Sequence, residues 1–133
     1  MQEKHLFEYA VIRVVPQVER EEFINVGVIL YCAKLNFLGA KWMLDENLMS
    51  LFTPTLDLAE LKQNLCAFDI ISKGGPDGGT IGLMDMPGRF RWLTATRSTI
   101  LQPSSVHPGF TDDAEGMLIK LFEQMVVRNN HRQ

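Results

Sequence analysis

The chain has 133 residues, 46% of them hydrophobic and 22% charged, with a net charge of −3. That length supports one hydrophobic core, so residues 1–133 are expected to form a single domain. A sequence pI near 5.6 argues against nucleic-acid binding driven by the field of the whole molecule. No run approaches the ~20 apolar residues of a membrane span, and Met1–His5 lacks a signal peptide's cationic start. The expectation is a cytoplasmic protein without membrane contact.

Phe7–Val15 reads as a strand rich in Tyr, Val and Ile, with Phe7, Tyr9, Val11, Arg13 and Val15 on one face. Pro16 ends it, and Gln17–Glu22 forms a charged hairpin link. Phe23–Cys32 is a second strand, apolar on both faces, as a central strand covered on both sides would be. Lys34-Leu35-Asn36 turns into a third strand, Phe37–Leu44. Together these predict an antiparallel meander.

Leu58, Leu61, Leu65 and Phe68 recur at helical spacing, with Thr53-Pro54-Thr55 as the start signal and Lys73-Gly74-Gly75 as the stop. Residues 74–88 are rich in glycine and are expected to be loop, with a short strand allowed at Ile81–Met86. Arg91–Ala95 and Ser98–Leu101 read as strands four and five, or as one bent strand, and Gln102–Gly109 as extended or turning chain. Asp112-Asp113-Ala114-Glu115 opens a last helix, whose core stripe runs through Ala114, Met117, Leu118, Leu121, Phe122, Met125 and Val126. Asn129–Gln133 should fray. The fold class is therefore α+β: a mainly antiparallel sheet of about five strands with two helices packed on one face.

Cys32 and Cys66 stand far apart in apolar stretches and read as core-packing thiols, too few for a disulfide framework. No metal-ligand spacing surrounds His107, and no catalytic or cofactor motif occurs, so neither a metal nor a cofactor is expected. Ser98, Ser104 and Ser105 lack an activating context and read as hydrogen-bond donors to a ligand.

The chemical information concentrates in residues 89–109. Arg89, Arg91 and Arg97 fall within nine positions, interleaved with Phe90, Trp92 and hydroxyl side chains, and no acidic residue occurs between Asp85 and Asp112. Guanidinium groups present planar forks of donors that match phosphate and carboxylate oxygens. Read as a strand, residues 89–93 place Arg89, Arg91 and Leu93 on one face and turn Phe90 and Trp92 to the core. The alternative is a solvated face paired with carboxylates elsewhere. Arg13 sits on an otherwise apolar strand face, and pairing Pro16 with Glu22 sets it opposite Asn25, as a brace or as the floor of an anion site.

Three blocks carry a wider resemblance: Tyr9–Pro16, Glu22–Leu30, and Arg89–Ala95 with Arg97–Ile100. In these the chain resembles the family called domain of unknown function 3037. The resemblance implies a small bacterial protein without an assigned activity, whose partner could be a HipA-like kinase encoded beside it. It picks out Arg13, Asn25, Arg89, Arg91, Arg97, Ser98, Gln102 and His107 as a polar cluster.

Three functions follow as expectations. The first is a binding module for an anionic partner, whether nucleotide, nucleic acid, or phosphorylated or acidic protein. The second is an enzyme acting on a phosphate ester or nucleotide, with His107 as general acid or base. The third is a purely structural interaction subunit whose arginines complete salt bridges.

Overall fold

In the computed structural model, residues 3–16, 22–52, 57–95 and 100–127 are described. Strands β1 (His5–Val14), β2 (Ile24–Cys32) and β3 (Phe37–Trp42) form the expected antiparallel meander. Helices α1 (Glu46–Phe52), α2 (Leu58–Lys73), α3 (Gly79–Gly82) and α4 (Met86–Leu93) follow, with a 3-10 turn at Pro76–Gly78 before α3. Strands β4 (Leu101–Pro103) and β5 (His107–Thr111) then lead into α5 (Ala114–Met125). The sheet has five strands in the order β3-β2-β1-β4, and β5 also pairs with β1.

β1 is thus the central ruler. Its one edge pairs with β2, while β5 runs along His5–Tyr9 and β4 along Ile12–Val14 of the other. Ser104 bridges the break between β4 and β5. Its backbone N–H donates to the Val11 carbonyl, and its hydroxyl accepts from the Val11 N–H at 2.8 Å and donates to the Ser105 carbonyl. The hydroxyl therefore replaces a missing ladder partner, which is a structural duty rather than the ligand contact expected of it.

The two helices of the sequence reading do not share a face. Ala10, Ile12 and Val14 pack with α2 and α4 in one cluster, whereas Phe7, Val28, Leu30 and Cys32 pack with α5 in another. Alternation along β1 divides these two faces. On β2 a bulge reverses the alternation: Ile12 pairs with Gly27 but Arg13 with Asn25, so Val26 is an extra residue. Ile24 and Val26 accordingly face α2, and past the bulge Val28, Leu30 and Cys32 face α5.

The helical stripes fall where their periods require, with Leu61, Leu65 and Phe68 buried on α2 and Ala114, Leu118, Leu121 and Phe122 on α5. Asp57 caps α2 and Asp113 caps α5. Thr53-Pro54-Thr55, the hairpin link 17–21, residues 96–99 and Asn129–Gln133 lie outside the described residues.

Four expectations are corrected. Residues 86–93 are helix, not strand, because Asp85 accepts from the Gly88 N–H and Pro87 lies in the first turn. α1 forms where no element was expected, with Asp45 accepting from the Leu48 N–H. Residues 74–88, expected as loop with a short strand allowed at Ile81–Met86, hold instead the 3-10 turn and α3, closed by the Gly75 N–H donating to the Gly82 carbonyl. Cys32 is buried, but Cys66 is exposed on α2.

Candidate functional site

The helical state of residues 86–93 decides where their arginines go. In a strand Arg89 and Arg91 would share a face; in a helix they point about 200° apart. Arg89 is buried beside Phe90 and Leu93, while Arg91 is exposed. The Arg89 guanidinium reaches the C-terminal end of α2, where Nη1 donates to the carbonyls of Ile71 at 2.9 Å and Ser72 at 2.7 Å. Its Nε donates to the Met84 carbonyl at 3.1 Å. Ser72 lies in the last turn of α2, where carbonyls lack intrahelical partners, the Ile71 carbonyl also accepts from the Gly74 N–H, and a cation there suits the helix dipole. Arg89 is a cap for α2 and a tie to α4.

Arg13 stands on the other side of the sheet. It occupies the β1 face shared with Phe7 and Tyr9, and its cross-strand partner Asn25 donates from Nδ2 to the Met125 carbonyl at the end of α5. The predicted opposition of Arg13 and Asn25 is therefore present. Gln102 of β4 pairs with Arg13 from the opposite edge, so Asn25, Arg13 and Gln102 form one row across three strands. The Arg13 guanidinium carbon lies 4.1 Å from the centroid of the Phe23 ring, a cation–π contact on an aromatic that is 46% exposed.

Two buried atoms in this row have no hydrogen-bond partner, Arg13 Nε and Asn25 Oδ1. One is a donor and the other an acceptor, on residues directly opposite each other. Lys62 and Glu46 form an exposed ion pair at 2.7 Å, away from this row. A buried guanidinium donor left unpaired is costly and calls for a physical explanation.

His107 lies further along the same face. It pairs with Tyr9 on β1, and their rings are tilted at 39° with centroids 5.5 Å apart. Tyr9 and Arg13 are four residues apart, which at strand rise separates the His107 row from the Arg13 row by about 13 Å. No group of three metal-binding side chains occurs among the described residues.

The sequence-predicted cluster thus divides. Arg13, Asn25, Gln102 and, at a distance, His107 share one sheet face; Arg89 is enclosed between α2 and α4 beyond the opposite face; Arg91 is on the surface of α4. Arg97 and Ser98 lie outside the described residues; they precede Ile100, whose carbonyl accepts from Val15 N–H next to the Arg13 row. Phe23 and Tyr9 were missed as members. Period-two spacing from Asn25 and Arg13 was the signal that could have found them.

A family profile described as "Protein of unknown function (DUF3037)" matches residues 9–126. The chain belongs to that family. The DUF3037 span opens at Tyr9 and closes at Val126, so it contains both rows of the sheet face, the Arg89 cap and all five strands in whole or part. No curated protein and no solved structure matches the chain.

Proposed function

We propose that this DUF3037 protein is a binding module for an anionic, phosphate-bearing partner, and that the Asn25–Arg13–Gln102 row is where the anion is held. The observation that carries the reading is Arg13: a guanidinium set on Phe23 with an unpaired Nε, directly across from an unpaired amide oxygen. Phe23 fixes the plane of the fork, which leaves its edge to meet phosphate oxygens two at a time. The partner class is a nucleotide, a nucleic acid, or a phosphorylated or acidic protein surface, a HipA-like kinase among them.

Arg89 contributes through the fold and not through the ligand, since its donors are spent on carbonyls. The enzyme reading gains little support, because His107 stands about 13 Å along the strand from Arg13, beyond the reach of one hydrogen bond. The structural-subunit reading has Arg89 on its side, whose donors go to backbone carbonyls, while the unpaired Arg13 Nε favours the binding module.

Side-chain NMR tests the site directly. Titration with inorganic phosphate, AMP and a phosphoserine peptide should shift the Arg13 Nε–H signal and the side-chain amides of Asn25 and Gln102. Shifts confined to other surfaces, or none with all three probes, would refute the assignment.

A further inference from the structure

The anion-binding row and the Tyr9–His107 pair stand on one face of the sheet, and together they specify more than an anion. α5 packs on β2, β3 and Phe7 of β1, and its last turn borders the row, where the Met125 carbonyl accepts from Asn25. Val11 lies between the two rows. At one end is a cation with unpaired hydrogen-bonding capacity; at the other is an exposed imidazole beside a tyrosine ring. Phe7 continues the aromatic series along β1 from Tyr9, with ring centroids 6.1 Å apart.

We infer that this face takes a nucleotide unit, with its base stacked on His107 beside Tyr9 and a phosphate at Arg13. The inference rests on the anion-binding reading of Arg13 and adds the base. Every base has a π-face, so an aromatic platform binds it without regard to sequence. The separation of about 13 Å along β1 exceeds a single base-to-α-phosphate step and suits either a nucleoside polyphosphate or a short single strand. A phosphopeptide would use the arginine but has no claim on the imidazole. The charge balance limits the ligand further: at net charge −3 the protein suits a few phosphates rather than a long polyanion.

The test compares four probes on the full chain by calorimetric or NMR titration: inorganic phosphate, a phosphoserine peptide, ATP and a uridine tetranucleotide. One of the two base-bearing probes should bind about tenfold or more tighter than phosphate, the scale of one stacked base. Whichever of the two is tighter identifies the source. His107→Ala should remove that surplus and leave phosphate binding unchanged, while His107→Phe should retain it, because a benzene ring stacks as imidazole does. For the tetranucleotide, the logarithm of the binding constant should fall with the logarithm of salt concentration at a slope near −0.7 per phosphate held.

Equal affinity for phosphate and both base-bearing probes, or a His107→Ala variant that loses nothing, overturns the nucleotide inference and leaves the anion row standing. If no phosphate-bearing probe binds, both readings fall.

Discussion

Arg89 and Gly74 approach so closely that a Cβ on Gly74 would lie 2.9 Å from the guanidinium carbon. Gly74 has φ of 80° and ends α2, and its N–H donates back to the Ile70 and Ile71 carbonyls. Arg89 comes across from α4 to the next carbonyl, that of Ser72, and shares the Ile71 carbonyl with the Gly74 N–H. The most conspicuous arginine of the sequence is therefore part of the scaffold.

This has a consequence for mutation. Arg89→Met removes three hydrogen bonds from a buried position and takes from the Ser72 and Met84 carbonyls the donor they have there, which should cost about 2–4 kcal/mol. Urea unfolding would register it, while phosphate affinity of the folded fraction stays unchanged. Loss of affinity at full stability would instead return Arg89 to the ligand.

Gly74→Ala attacks the same junction from the backbone side. The alanine must hold a positive φ and press on Arg89, so a loss of about 1–2 kcal/mol is expected. Gly75 offers the control. It too has a positive φ, at 104°, but nothing lies within 4 Å of its missing Cβ, so Gly75→Ala isolates the backbone cost from the contact. If the two substitutions prove equally costly, the contact with Arg89 contributes nothing.

What the sequence disclosed follows its periods. β1–β3, α2 and α5 are long enough for alternation or a heptad-like stripe to be unambiguous, and the Arg13–Asn25 register followed from one hairpin assumption. α4 was misread because eight residues give little more than two turns, and Arg-Phe-Arg-Trp alternates as a strand would. Its cap, Asp85 three residues before Gly88, was the better signal. The error propagated directly into the site, since strand and helix send Arg89 and Arg91 to different places. The bulge at Val26 and the separation of the two helices onto opposite faces depend on pairing between distant segments, which no local pattern encodes. β2's apolar residues on both faces were the one local hint of the second layer.

Ser104→Ala should loosen the junction between β4 and β5. The Val11 N–H would lose its acceptor inside the sheet, at a cost of about 1–3 kcal/mol. Hydrogen exchange reads this locally: the Val11 amide should exchange faster, while amides in the β2–β3 pair keep their protection relative to global stability. An unaltered Val11 amide would mean that the hydroxyl is not its partner.

Gly109 lies over the ring of Phe7, and a Cβ built there would overlap it. Gly109→Ala should therefore destabilise the β1–β5 pair by about 1–3 kcal/mol through overpacking. Phe7→Leu costs stability alone by opening the α5 cluster, yet it should recover part of the Gly109→Ala loss by vacating the contested space. The double-mutant cycle decides the matter, and simple additivity would show that the two residues do not compete.

Arg13 should behave oppositely to Arg89. Its Nε is buried without a partner, so the folded protein bears a desolvation cost that no internal bond offsets. The cation–π contact with Phe23 returns only about 0.5–1 kcal/mol at a site of this exposure. Arg13→Met fills the same space with a flexible apolar chain that can rest on Phe23 and asks for no partner. Thermal or urea unfolding should therefore find the variant as stable as the parent, or more stable by about 1 kcal/mol. Phosphate-probe binding should meanwhile weaken by roughly tenfold to a hundredfold, the worth of a charge-assisted hydrogen bond or two. A group that costs stability and is kept only for what it binds gives this divergence. A structural brace would lose stability on replacement, and that result would move Arg13 into the scaffold beside Arg89.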